Sequence, residues 1–415
     1  DDDDDDDEVE DSTPSQRNNG NDSTESKRDS ITTDDETKDI SEYDAIIAMG
    51  GDGIQFEIFQ GIHDRSCSQS SSSSSTTTTE SNSNDSNNDD NALETILSKL
   101  KFGIVACGTY NGLVKSLLHW SACHDDDDDD DDDGNDNNNG NSNFDCVESV
   151  FQICKGYAST LDVAAYEVLS DTATATGTDV NANNSTNPTT AITTATAKTT
   201  TTTTAKSKSY LSFLSFAWGL IADCDFESEC LRWLGPLRSD IWAVYRGILF
   251  RRQYRGRFSY LPPATRGDGS TGEGAMMEDK DDDGDVVVEM PRVGKPLPDG
   301  WVSFEEEFLV FWVCNTSHAA YNMYTCPMAR INDGLFHVLI VRSSCSRLRL
   351  LQMLLKLDSG GHIDCDVCEV IDCVAYQFEP LSNVSYNVLD GELLEDGIVQ
   401  ARFIPSGAQF FCGEK

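Results

Sequence analysis

The residue best placed to do chemistry is Asp52, inside the stretch Asp44–Ile62, DAIIAMGGDGIQFEIFQGI. Gly50, Gly51 and Gly53 around it have no Cβ, so the backbone can turn sharply and come close to a bound group. A short apolar run (Ala45, Ile46, Ile47, Ala48) precedes the turn, and Ile54, Ile58, Phe59 and Ile62 follow at helical spacing. The order is strand, glycine turn, helix, with Glu57 in the first helical turns where the dipole favours an acid. A carboxylate at the C-terminal end of such a strand, beside helix N-terminal amides, can hold a substrate hydroxyl near a phosphate and accept its proton. The same stretch also reads as a tight turn whose Asp merely caps the helix.

The pattern then repeats. Phe102–Cys107, FGIVAC, reads as a second buried strand; it runs into Gly108-Thr109-Tyr110-Asn111-Gly112 and the helical LVKSLLHW. Two such units in succession set two groups of free amides along one edge of a parallel sheet, which suits a polyphosphate. Thr109 and Asn111 can cap the helix or bond phosphate oxygens. The motif is weaker than a P-loop, because no Gly-Lys-Ser/Thr follows. The run Ala45–Ala48 is continuous enough to predict a strand buried on both faces.

Further helices are expected at Ala92–Leu100 and Val147–Tyr157. The segment Leu161–Leu169, LDVAAYEVL, alternates like a half-buried strand. From residue 298 to the end, strand-like segments recur at short intervals with turn signals, interrupted by one helix at Ser346–Leu357. That pattern predicts an antiparallel sheet or sandwich. The expected architecture is therefore an N-terminal α/β lobe and a C-terminal antiparallel β lobe with a cleft between them.

Composition sets the limits. At 415 residues the length suggests two or three domains, but low-complexity segments at 1–40, 64–91, 124–143, 170–208 and 266–297 lower the globular length to about two. The boundaries fall at 1–40 for a disordered acidic segment, 41–157 for the α/β domain and 158–415 for the β-sandwich domain. The formal net charge is -43, with seven charges from Asp1–Asp7 and nine from Asp125–Asp133. Such runs are solvated and self-repelling, and the acidity argues against nucleic acid as a partner. The 14 Cys are scattered, several in apolar runs, which points to a reducing compartment. Cys365 and Cys368 form one CxxC with no second pair at metal spacing, so zinc is not expected. No run of 18 apolar residues is present. The chain opens on Asp, so a targeting peptide upstream would not be visible.

The blocks GGDGIQFEIFQG, CGTYNGLVKSL, SFAWGLIADCDFESECLRWLGPLR, YRGRFSYLP, CPMARINDG and VLDGEL resemble, in that order, segments of sphingosine kinases within the diacylglycerol-kinase-like lipid kinases. The resemblance runs from about residue 43 to 412. It implies a phosphofructokinase-like N-terminal α/β lobe, a C-terminal β-sandwich, ATP with Mg2+ in the cleft, and phosphoryl transfer to a lipid primary hydroxyl. By this resemblance Asp52 is the catalytic base. Gly51, Gly53, Gly108, Thr109 and Asn111 form the nucleotide turns; Glu229, Arg232, Arg238, Gly391 and Glu392 complete the nucleotide site. Ser215 and Asp225 fall on the pair that recognises a sphingoid head group.

The residues agree with those roles. Phosphoryl transfer asks mainly for positioning and charge neutralisation, and the planar forks of Arg232 and Arg238 suit phosphate. Asp225 in apolar surroundings is costly unless paired, and a substrate ammonium would pair it. A ceramide or diacylglycerol, lacking that cation, is the alternative substrate, and a catalytically weak lipid-binding homologue the alternative function. Asp223, Asp225, Glu227 and Glu229 also read as a solvated acidic face with Arg232 and Arg238 as ion-pair partners. Ile241, Val244, Tyr245 and Ile248 make a helical stripe near Arg246, Arg251 and Arg252, read either as a face for peripheral contact with anionic membrane or as a core face. The expected location is cytoplasmic and peripherally membrane-associated, with the oligomeric state open. His318 and His337, in apolar segments, are expected to line a lipid pocket or fill the core.

The sequence departs from the family pattern twice. Residues 1–40 stand where a strand and a glycine-rich phosphate loop are usual. Tyr110 occupies the third position of the usual Gly-Ser/Thr-Gly-Asn turn, where positive φ would strain a Tyr.

Overall fold

A computed structural model of the protein describes residues 43–72, 93–122, 142–172, 204–235, 237–263, 290–291, 293 and 295–413. The segment 1–40 and most of the four low-complexity insertions lie outside the described residues. The edges of three insertions are regular: the first helix continues past residue 64, a helix begins at Ser142, and strand pairing extends from 170 to 172 and resumes at 204.

The first lobe is built from the two repeated units. Strand β1 (Ala45–Gly50) leads through the first glycine turn into helix α1 (Asp52–Ser72), and a short helix α2 at 93–99 leads to β2 (Lys101–Ala106). β1 and β2 pair in parallel, Ala45 opposite Lys101 and Gly50 opposite Ala106. Helices α3 (Gly112–Ala122) and α4 (Ser142–Lys155) complete the lobe. β2 is apolar and buried as expected, but β1 is not buried on both faces: Ile47 and Met49 are exposed. An apolar run fixes the strand but not its neighbours, and among the described residues β1 is the last strand of the sheet.

The second lobe opens with a long hairpin, β3 (Ala158–Thr172) against β4 (Thr204–Ser212), followed by β5 (Ser215–Gly219). Gly219 has φ +83°, and a Cβ there would lie 2.8 Å from the Leu309 carbonyl oxygen, so only glycine makes this corner cheaply. The chain turns there into α5 (Leu220–Glu227), a 3-10 segment (Ser228–Leu234), α6 (Leu237–Val244) and a π turn (Tyr245–Leu249). Strands β6 (Tyr254–Leu261), β7 (Val302–Cys314) and β8 (Phe336–Arg342) come next. Helix α7 (Arg347–Leu354) follows, started by Ser346, whose side chain accepts from the Arg349 amide. The chain finishes with β9 (Glu369–Cys373), β10 (Ala375–Pro380), β11 (Val388–Leu389), β12 (Glu392–Leu393) and β13 (Ile398–Phe411).

Pairing within this lobe is antiparallel, and the sheet folds back on itself as a sandwich. Phe216 of β5 meets Tyr376 and Phe378 of β10 although β6 and β7 lie between them along the sheet. Phe311 of β7 stacks on Phe378 at 4.1 Å between ring centres. Interleaved aromatic rings thus form the core. The last strand crosses back: Gln409 and Phe410 of β13 pair in parallel with Lys101 and Phe102 of β2, so one hydrogen-bonded sheet runs through both lobes. Phe59 of α1 lies 5.0 Å from Phe102 and 5.7 Å from Phe213, which fixes the first helix against the second lobe.

Cys365 and Cys368 are free thiols. Among the described residues no cluster of three or more His, Cys, Asp or Glu has the makings of a metal site. No helix among them is long and apolar enough to cross a membrane.

Candidate active site

The two glycine turns meet. A Cβ on Gly108 would press into the Cα of Gly51, so the turns approach at a distance only glycine allows. Asn111 closes the second turn. It adopts φ +48°, its Oδ1 accepts from the Gly108 amide at 3.0 Å, and its Nδ2 donates to the Gly108 carbonyl at 2.9 Å. The left-handed residue is thus Asn111, a residue that tolerates it. Tyr110 does not carry the positive φ expected from the turn pattern.

Asp52 is the first residue of α1, but its carboxylate serves the start of α3. It accepts from the Gly112 amide at 2.8 Å and the Leu113 amide at 3.1 Å. Two of the unsatisfied donors of α3 are thereby used, and the carboxylate cannot rotate freely. Burial raises the Asp52 pKa, and the amides pull it back down. A buried carboxylate with a raised pKa, fixed between two phosphate-type turns, has the character of a general base.

The four acids of α5 and the segment after it divide by face. Asp223 is fully buried, accepting from Tyr254 Oη and Arg252 Nη1, both at 2.7 Å, and from Ser385 Oγ at 2.9 Å. Glu227 accepts from Arg252 at 2.8 Å, Arg246 at 2.6 Å and Trp242 Nε1 at 3.0 Å. These two hold α5 against the π turn and β6. Asp225 and Glu229 face the other way, into a cavity of about 400 Å³ that Asp52 also lines. Glu229 pairs with Arg238 and, at 2.9 Å, with Arg232. No hydrogen bond or ion pair reaches the Asp225 carboxylate among the described residues. The side chain is open to water in the cavity, and the protein around it raises its pKa to about 6 against the pull of Arg238. The expected acidic face is therefore half a structural network and half a cavity wall.

Gly51, Gly53, Thr109, Ser215, Gly391 and Glu392 line the same cavity. Asn111, by contrast, is buried behind the turn it closes. Beyond Asp225 the wall turns apolar, with Ile221, Ala243, Trp312, Met323, Leu354 and Leu357. His318 and His337 do not line it. His318 is buried on the Tyr324 ring, with burial pushing its pKa down to about 3, and His337 lies between Asp333 and Asp372.

Asp390 is the residue that sequence reasoning missed. Asp390 and Gly391 are the two central residues of the β11–β12 hairpin, with φ +51° and +86°. An Asp-Gly pair between apolar residues is a strong hairpin signal, and it was there to be read. What could not be read is the destination of the carboxylate. It is fully enclosed and accepts from Ser212 Oγ at 2.7 Å and from the amides of Phe213, Leu214 and Ser215 at 3.1, 3.1 and 2.9 Å. Burial pushes its pKa up to about 7 although four donors favour the charged form. One side chain thus locks the turn that presents Ser215 to the hairpin that presents Gly391 and Glu392.

In two segments the chain is similar to the diacylglycerol-kinase-like class. Residues 22–164 match the model of the diacylglycerol kinase catalytic domain, and residues 299–412 match that of the YegS C-terminal NAD kinase beta sandwich-like domain. Within that class the chain is similar to sphingosine kinases. Against sphingosine kinase 2 of Arabidopsis thaliana it is 28% identical over 367 residues, 88% of this chain and 58% of that protein. Against sphingosine kinase 1 of Homo sapiens it is 32% identical over 198 residues, 47% of this chain and 50% of that protein. The chain thus spans about half the length of the curated relatives it matches. Among solved structures, a putative diacylglycerol kinase from Bacillus anthracis str. Sterne aligns at 13% identity and a TM-score of 0.45, covering 90% of this chain and 78% of that one.

Proposed function

We propose that the protein is an ATP-dependent lipid kinase that phosphorylates the primary hydroxyl of a sphingoid base, giving sphingosine 1-phosphate and ADP when that base is sphingosine. The observation that carries this reading is the unpaired Asp225 carboxylate on the wall of the cavity that Asp52 also lines, with an apolar wall beyond it. A carboxylate that no protein cation pairs is free to take a substrate ammonium. Neither a ceramide nor a diacylglycerol carries one.

The donor set fits a polyphosphate. Thr109, Arg232 and Arg238 supply donors on one side of the cavity, and the glycine turns keep side chains off the backbone there. Asp52 accepts the proton of the lipid hydroxyl as its oxygen bonds to the γ-phosphorus and the bond to ADP breaks. Ser215 and Asp225 hold the head group so that this oxygen points at the phosphate. Arg238 and Arg232 neutralise charge that builds on the phosphoryl oxygens. Gly391 and Glu392 bound the nucleotide side, Glu392 lying next to Gly53. Mg2+ would enter with ATP, with Asp52 the carboxylate between the turns that would help hold it, and it would supply charge neutralisation.

The lipid arrives from a bilayer, and the α6 region is suited to meet one. Its inner side, Ser239, Asp240 and Ala243, lines the cavity, while Trp233, Leu237, Ile241, Val244, Leu249 and Phe250 are exposed around it. Arg246 and Arg252 are committed to Glu227 and Asp223, and Arg251 to the carbonyls of Ser343 and Cys345. Contact through this face thus relies on apolar area more than on cations. A cytoplasmic protein with peripheral membrane contact is the location this reading implies.

The test is a kinase assay with purified protein, Mg-ATP and, separately, sphingosine, ceramide and diacylglycerol. Phosphate should pass to sphingosine only, and Asp52→Asn should lower the rate by about 10²-fold or more with an unchanged melting temperature. Equal transfer to diacylglycerol, or full activity of Asp52→Asn, would sink the assignment.

A further inference from the structure

Tyr110 stands on the second glycine turn of the first lobe, and it is tied to the second lobe at both ends. Its carbonyl accepts from the Tyr321 amide at 2.7 Å, and the next residue, Asn111, bridges to Ala320. Its ring reaches the start of α6. There the phenolic oxygen lies 3.3 Å from Ser239 Oγ and 3.4 Å from both Nε and Nη2 of Arg238. The guanidinium therefore straddles one acceptor along its Nε edge while Nη1 pairs with Glu229. Arg238 is mostly buried and Arg232 mostly exposed, so Arg238 is the cation with a defined place in the cavity.

We infer that Tyr110 is a positioning residue for nucleotide: its hydroxyl sets Arg238 over the second glycine turn before a phosphate arrives. The inference rests on the kinase reading above. Arg has five donors in a rigid fork, and left to Glu229 alone the side chain could swing about that single pair. A second acceptor on the opposite lobe fixes the plane of the fork, and fixed donors bind phosphate without first losing conformational freedom. A bulky residue at this point of the turn is accommodated because Asn111 takes the left-handed conformation and the Tyr110 side chain spans the cleft.

The test is Tyr110→Phe, which keeps the ring and removes the hydroxyl, measured alone and in an Arg238→Ala background. Each protein is followed by Mg-ADP titration calorimetry, by steady-state kinetics and by thermal melting. The expected result is about a three- to tenfold rise in Kd for Mg-ADP and in KM for Mg-ATP. The kcat should stay within about twofold and the melting temperature within about 1 °C, as befits loss of binding without loss of fold. In the Arg238→Ala background the same change should leave nucleotide affinity unaltered, because the contact to Arg238 is already gone and the remaining one, to Ser239, positions no phosphate donor. An unaltered Kd in Tyr110→Phe, or a penalty that persists without Arg238, overturns the inference while leaving the kinase reading intact. A parent protein that binds no Mg-ADP overturns both.

Discussion

Asp225 is a carboxylate without a partner on the cavity wall, and this gives it a pH signature. The protein around it holds its folded pKa up at about 6, above the unfolded value of 3.8. A raised carboxyl pKa favours the folded state below the unfolded value, and that contribution is lost as pH rises through about 6. Because the side chain is open to water, the effect on stability is small. Asp225→Asn should leave the melting temperature of the free protein at pH 7.5 within about 1 °C. It should also abolish the stabilisation that sphingosine gives the parent protein. For the parent, sphingosine affinity should fall as pH drops from 7 to 5, while the Asn variant stays flat over that range. Thermal melts with and without sphingosine at several pH values check both, and a parent protein whose affinity ignores pH would contradict the ion pair. Asp225 was legible as a candidate because an acid in an apolar stretch asks for a cation. Its freedom from Arg232 and Arg238 was not legible, since it depends on Glu229 satisfying both.

Among the elements, the two strand–turn–helix units meet at their glycine turns, and for the proposed reaction this contact is the critical one. Gly108→Ala places a methyl against the Cα of Gly51, which is backbone and cannot move aside as a side chain can. The expected cost is about 1–3 kcal/mol of stability in urea unfolding, with nucleotide affinity lost through the separated turns. Gly61→Ala, where a Cβ meets nothing within 4 Å, serves as the control and should be stabilising or neutral. These units were readable because a turn between a strand and a helix is set by a few consecutive residues. The burial of β1 was not, because an apolar run is silent about which strands flank it. In α5 and the 3-10 segment after it, spacing set Asp223 with Glu227 on one face and Asp225 with Glu229 on another. Which face would meet Arg252 and which the cavity was decided by the way α5 packs on β5 and β7.

At the scale of the molecule, β13 pairing with β2 and the contact of Phe59 with Phe213 join two lobes into one frame around the cavity, while the Asp390 carboxylate locks two turns of the second lobe together. On its outside, Ile241 and Val244 are exposed on the helix whose other side lines that cavity. Replacing both with Asp should reduce co-flotation with phosphatidylcholine/phosphatidylserine vesicles by about tenfold, since each loses apolar contact and adds a charge to the interface. Activity on sphingosine presented in detergent micelles should stay within about twofold. Equal flotation of the double variant would remove α6 as the membrane face. The stripe was legible from its helical spacing, but the choice between core face and surface was not. The structure divides the stripe: Ile241 and Val244 are exposed, while Ile248 packs against the core of the second lobe.

What the amino-acid order determined by itself was local: two glycine turns, the acid between them, the hairpin at Asp390-Gly391 and the lobes to which they belong. Each is set by backbone conformations and apolar periods that neighbouring residues impose on one another. The tertiary structure alone decided which charges are spent on holding the fold and which are left for a ligand. Tyr110 and Arg238 are 128 residues apart, and Asp390 closes on a turn 175 residues before it. Contacts of that reach come from how the lobes pack, and no spacing rule encodes them.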